Sequence, residues 1–250
     1  MLDQLREKGF EVQFEGHAAA IVEIDFPAAQ REIEQVLLDV RIPIAEIIAS
    51  GGGETKFTQR MRHALSDKDW KKYKFEIRKT INGEERESIS HEVDHVRHFQ
   101  GAFRGNKSIA LEIEWNNKDP FFDRDLENFK RLHAEGAISV GVIVTRGSSL
   151  HQQTWDFVYR FAKEEGINTF EDLQRIGLDP TRRKLAAIKK RIERSNKPLD
   201  FQTAWTDNFV ADKYGEATTH WRKLMDRVSR GVGNPCPLVL IGLPPSIVTF

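Results

Sequence analysis

Cysteine is almost missing from this chain: Cys236 is the only one in 250 residues, so no internal disulfide can form and no CxxC zinc or redox motif exists. An excess of either charge is missing too, because 38 Lys and Arg balance 38 Asp and Glu and the formal charge is zero. No global field draws the molecule onto nucleic acid or membrane, and a polyanionic partner must meet a local patch. No apolar run approaches the ~20 residues that cross a bilayer, and the opening MLDQLREKGFEVQFEG has no basic stretch followed by an apolar one. The expectation is a cytoplasmic protein with no membrane partner. The run Gly51-Gly52-Gly53 lacks a following Gly-Lys-Ser/Thr, which removes the phosphate-loop lysine and leaves a flexible connector. GxSxG is also absent, so Ser148-Ser149 gains no support as a serine nucleophile.

What is present is a globular mixture, 39% hydrophobic and 30% charged, with no repeat or evident linker. One domain spanning 1–250 with a helical addition around 180–230 is the simplest organisation. Phe26-Pro27 starts a helix that carries Ile33, Val36, Leu37 and Val40 on one stripe, and a short helix is expected over Thr58 to Leu65. Asn82-Gly83 then reads as a hairpin turn. Along Ser108 to Trp115 the period is two: Ile109, Leu111, Ile113 and Trp115 face one way, while Ala110, Glu112 and Glu114 face the other. Asp123 is read as the cap of a helix with Leu126, Phe129 and Leu132 on its stripe and Gly136 as its stop. Ile138 to Val144 is a strand covered on both faces, so strand, helix and strand form a parallel pair with a right-handed crossover. Further on, Asp179-Pro180 opens a helix with Leu185, Ile188 and Ile192 on its stripe. Its other faces carry a basic run from Arg182 to Arg194 that suits a solvated surface or nucleic-acid phosphates. Another helix is expected over Thr219 to Val228, then a buried strand from Pro237 to Leu243.

The chemistry concentrates on Glu112 and Glu114. Two carboxylates on one side of a strand whose other side is apolar are costly to bury unless a cation or donors compensate them. Asp94, in the alternating Glu92-Val93-Asp94-His95-Val96, comes opposite Glu112 if a turn at Arg104-Gly105-Asn106 pairs the two strands. Hard oxygen ligands with room for water suit Mg²⁺. Periodicity also leaves open an edge strand that shows Glu-x-Glu to solvent. His91, His95 and His98 lie nearby, but they follow neither HExxH nor finger spacing.

The stretch Glu92-Val93-Asp94, then Ala110 to Asn117, then Asp123-Arg124-Asp125-Leu126 and Ile138 to Gly147, resembles the type II restriction endonucleases of the BamHI/BglII group. The ending from Pro237 to Phe250 is similar to the tails of that group. The likeness covers about a quarter of the chain well, and its order of elements is more specific than its acidic triplet. It implies an α/β, PD-(D/E)XK nuclease-like three-layer fold, a central mixed sheet flanked by helices. It further implies a homodimer that cuts double-stranded DNA at a short palindrome with Mg²⁺, leaving 5′-phosphate ends in a four-base overhang, with GATC at the centre. By that resemblance Asp94, Glu112 and the carbonyl of Ile113 are metal ligands, and Glu114 is general base or water orienter. Asn116, Asn117, Arg124, and a loop bearing Arg146, Ser148 and Ser149 then contact DNA. Glu76 corresponds to an extra carboxylate of some relatives. A sequence-specific DNA-binding protein without catalysis is the alternative on the same fold.

Overall fold

In the computed structural model, which describes residues 2–49, 54–100, 106–193 and 196–250, both periodicities become elements. In chain order the first half comprises helix α1 (Asp3–Glu7), strand β1 (Glu11–Glu15), helices α2 (Ala18–Asp25) and α3 (Pro27–Leu38), the short β2 (Ile42–Pro43), α4 (Ile44–Ile48) and α5 (Lys56–Ser66). A long hairpin, β3 (Lys71–Ile81) and β4 (Glu84–Gln100), leads to β5 (Asn106–Glu114), α6 (Phe121–Ala134) and β6 (Val140–Arg146). Then come α7 (Ser148–Glu164), α8 (Phe170–Arg175), α9 (Arg182–Ile192), α10 (Phe201–Lys213), α11 (Trp221–Ser229), β7 (Leu238–Leu243), a 3-10 turn (Pro245–Ile247) and β8 (Val248–Thr249).

Six strands form one mixed sheet in the order β1-β7-β6-β5-β4-β3. The expected β5-α6-β6 crossover makes a parallel pair, β7 extends it in parallel, and β1, β4 and β3 run antiparallel to their neighbours. β6 is buried at every residue because helices cover both faces. On one face Leu111, Val142, Val144 and Ile241 meet α3, α5 and α7. On the other, Ala110, Ile143, Leu238 and Leu240 meet Phe122, Leu126, Phe129 and Leu132 of α6 and Leu224 of α11. Helix, sheet and helix make three layers, as the sequence resemblance implies. Gly141 of β6 admits α6 closely: a Cβ there would lie 2.3 Å from the Phe129 ring.

Local signals are realised with some shifts. Asn82 and Gly83 both take positive φ, 53° and 84°, the conformation of a two-residue hairpin turn. Asp123 is not a cap: α6 begins after Pro120, and Asp123 in its first turn instead accepts a bond from Arg227 of α11 at 2.9 Å. Asp179-Pro180 does not open α9, since the Thr181 hydroxyl accepts from the Lys184 amide and starts the helix two residues later. The helical addition takes the form of α9, α10 and α11, and Trp221 packs, partly buried, against the second core. The Gly51-Gly52-Gly53 connector, Arg104 and Gly105 of the proposed turn, and Arg194 lie outside the described residues.

Candidate active site

Glu112 and Glu114 sit on the α6 side of β5, an interior strand, and are only 6% and 3% exposed. The solvated edge is therefore not their situation. Asp94 comes beside Glu112 at an irregularity, its backbone amide on Glu112 and its carboxylate beside Lys72. Lys71 pairs with Val96 and Tyr73 with Val93, so one residue of β3, Lys72, opposes two of β4, Asp94 and His95. A bulge of this kind re-aims side chains. Val93 and Val96 consequently enter the same core, although residues three apart on a regular strand face opposite ways. One register step beyond the pair His95 and Leu111, Asp94 falls opposite Glu112, and its amide donates to Glu112 Oε1 at 3.4 Å.

A fourth carboxylate, Asp125, projects from α6 and is 1% exposed. Its sequence signal was its phase: it sits between Phe122 and Phe129, on the apolar side of an otherwise clean stripe. Arg124 donates to Asp125 Oδ1 at 2.8 Å and stands 3.6 Å from Glu114 Oε1, and Asn117 Nδ2 donates to Glu114 Oε2 at 2.7 Å. These donors undercompensate the acids. Burial, then the Asp125 and Asp94 charges, drive the Glu112 carboxyl well above the usual carboxylate range. Burial and then Asp125 push Glu114 up to about 9, and burial raises Asp125 as well. Hard oxygens short of positive charge are the donor set that a divalent cation fits.

The three carboxylates picked from sequence do not converge into a metal-ligand group among the described residues. His151, Glu216 and His220 do, with ligand atoms all within 4.8 Å of one another. Their geometry is set against a cation. The two imidazoles stack 3.9 Å apart and 7° from parallel, so their in-plane lone pairs run side by side rather than converging. Arg146 Nη1 donates to His151 Nδ1 at 3.2 Å, and Arg222 pairs with Glu216.

A cleft of about 600 Å³ opens beside Asp94, with Arg62, Lys72, Asn116 and Asn117 among its lining. Arg124 is half exposed at the acidic cluster. The remaining residues expected to contact DNA are placed differently. No loop follows β6, because Gly147 passes directly into α7 with Ser148 as its first residue. The Glu11 carboxylate takes the Ser148 amide at 2.6 Å and its hydroxyl at 2.8 Å, so that helix start already has its anion, and only Ser149 is exposed. Arg146 is completely buried, donating to Trp115 O at 2.9 Å, Thr219 O at 2.8 Å and Thr218 Oγ1 at 2.6 Å. It fastens the chain after β5 instead of projecting toward a ligand. The same segment is tied by Thr219 N to Asn117 O at 2.8 Å, and Asn117 in turn bonds Glu114. Glu76 is exposed and pairs with Arg78 away from the cluster. His95 bonds the Leu111 carbonyl and His98 the Ser108 hydroxyl, and these two with His91 form no metal-ligand group among the described residues.

A family model described as restriction endonuclease BglII/BglIII matches residues 10–243. No curated protein matches the chain.

Proposed function

Because the chain belongs to the restriction endonuclease BglII/BglIII family, and is thus a type II restriction endonuclease that cuts DNA site-specifically, we propose that it works as a Mg²⁺-dependent homodimer. It hydrolyses both strands of a short palindromic duplex, centred on GATC, and leaves 5′-phosphate ends. The observation that carries this reading is the undercompensated pair Glu112 and Glu114 buried on an interior strand, with the amide of the bulged Asp94 on Glu112 and its carboxylate at the cleft. A twofold site calls for a twofold enzyme, one acidic cluster per strand.

Asp94, Glu112 and the Ile113 carbonyl would hold the ion, which would withdraw charge from the scissile phosphate and make a nearby water more acidic. Glu114, which a cation beside it would ionise, orients the attacking water and takes its proton, and Asn117 fixes the Glu114 carboxylate for that task. In-line attack forms one P–O bond and breaks the bond to the 3′-oxygen, so the phosphate stays on the 5′ end. Arg124 offsets the charge of Glu114 and Asp125. Asn116 and Asn117, at the cleft wall, have the amide groups that bond bidentately to adenine. Digestion of a sequenced plasmid with purified protein is expected to give discrete fragments with Mg²⁺ and none with EDTA. Sequencing of the fragment ends is expected to find GATC within a 5′ overhang; ragged ends or metal-independent cutting overturn the reading.

The same cluster sets a pH dependence. The Glu114 carboxyl, ordinarily near 4.5 and pushed up to about 9 in the fold, holds a proton in the native state alone across that window. Its stabilising contribution is complete below the lower value and is lost as pH rises through the upper one. Thermal unfolding of the metal-free protein is therefore expected at lower temperature as pH rises from about 7 to about 9, above the range where His91, His95, His151 and His220, all lowered by burial, act in the opposite sense. Millimolar Ca²⁺ is expected to flatten the trend by displacing the proton. A melting temperature in EDTA that is flat or rises over the window counts against the cluster as described.

A further inference from the structure

The bulge that turns Asp94 also gives it a neighbour. Lys72 stands between the pairs Lys71 with Val96 and Tyr73 with Val93 and so faces Asp94. Its Nζ lies 2.7 Å from Glu92 Oε1 and 3.5 Å from Asp94 Oδ1, and its side chain, 58% exposed, lines the same cleft. The other cations nearby are engaged: Arg62 is held by Glu54 through two bonds of 3.1 Å, and Arg124 by Asp125 and Glu114. Among the described residues, Lys72 is the cation seated on Asp94.

We infer that Lys72 is a built-in competitor for the Asp94 carboxylate, which it holds in the DNA-free enzyme and leaves for a DNA backbone phosphate when a divalent ion binds. The inference rests on the reading of Asp94 and Glu112 as ligands. An ammonium and a divalent ion on one carboxylate repel each other, so ion entry in the free enzyme weakens the Lys72 contact with Asp94 and leaves the ammonium to Glu92. With DNA in the cleft, a phosphate offers the ammonium a second partner. A flexible four-carbon stem bearing a compact charge reaches it without backbone movement. Metal and DNA therefore tighten each other's binding, by the same factor in each direction. No covalent bond changes in this exchange.

The test is calorimetric titration with Ca²⁺ of wild type, Lys72→Met and Glu112→Gln, without DNA and with a duplex spanning a mapped cut site. In Lys72→Met the DNA-free affinity for Ca²⁺ is expected to rise by about 5-fold or more, and the gain on adding DNA to shrink by the same factor. The salt dependence of duplex binding in Ca²⁺ is expected to lose about 0.9 from its log–log slope, the mark of one lost phosphate contact. Lys72→Arg, which keeps the charge, is expected to restore that slope. A Lys72→Met protein with wild-type Ca²⁺ affinity and wild-type slope overturns this inference alone, provided Glu112→Gln has lost the ion. A wild-type isotherm identical to that of Glu112→Gln overturns the ligand assignment and this inference with it.

Discussion

Glu112→Gln is expected to reduce Mg²⁺-dependent cleavage by about 10³-fold or more, while the duplex is still bound in a gel shift. The size follows from the several kcal/mol that a correctly held cation contributes to the transition state, at about 1.4 kcal/mol per factor of ten. Glutamine keeps the shape of glutamate and one acceptor oxygen, but not the charge that holds a hard cation. The same substitution is expected to leave the metal-free protein as stable as wild type or more so, above all at alkaline pH. Burial already drives the Glu112 carboxyl toward its neutral form, and an amide is neutral throughout. Activity and stability move in opposite directions, the pattern of a group kept at a functional site against the preference of the fold. Undiminished cleavage by Glu112→Gln ends the assignment. A large loss of melting temperature in EDTA shows instead that Glu112 is structural.

How much was legible in the sequence depends on how local each signal is. The alternation from Ile109 to Trp115 needs nothing beyond its own strand, and the stripe of Leu126, Phe129 and Leu132 needs only its own helix. β5, α6 and β6 could thus be read, and their parallel pairing followed from the length of the connection. The antiparallel approach of Asp94 to Glu112 was legible as a register, but not the bulge, which exists only because β3 pairs on the far side with one residue fewer. Lys72 was invisible for the same reason. Asp125 was hidden by a rule that looks for apolar residues on a stripe and passes over a carboxylate in phase with them. Gly147-Ser148-Ser149 has loop composition, yet glycine and serine also begin helices. Glu11, at a separation of 137 residues, decides the matter by binding the Ser148 amide.

Arg146→Ala is expected to cost about 3–5 kcal/mol of stability, read from the denaturant midpoint at unchanged slope. Three carbonyls, those of Trp115, Tyr214 and Thr219, lose a charged donor inside the protein, and each buried acceptor left without a partner costs about 1–3 kcal/mol. Water entering the vacated space recovers part of that. Against a total stability of about 5–15 kcal/mol the loss is a large fraction, equivalent to about 10 °C in Tm for a chain of this size. Burial brings the guanidinium down only to about 10, so it stays charged at neutral pH and charge-assisted bonding continues to hold the segment after β5. Lysine is a poor substitute, because one ammonium cannot reach acceptors spread along Trp115, Tyr214 and the Thr218-Thr219 segment. Cleavage by Arg146→Ala is also expected to fall, since the fastened segment carries Asn117, the partner of Glu114. That fall should appear with duplex affinity retained below the unfolding temperature. A residue that reads bases behaves in the reverse way, with wild-type stability and binding relaxed at one position of the site, and that outcome would return Arg146 to the DNA surface.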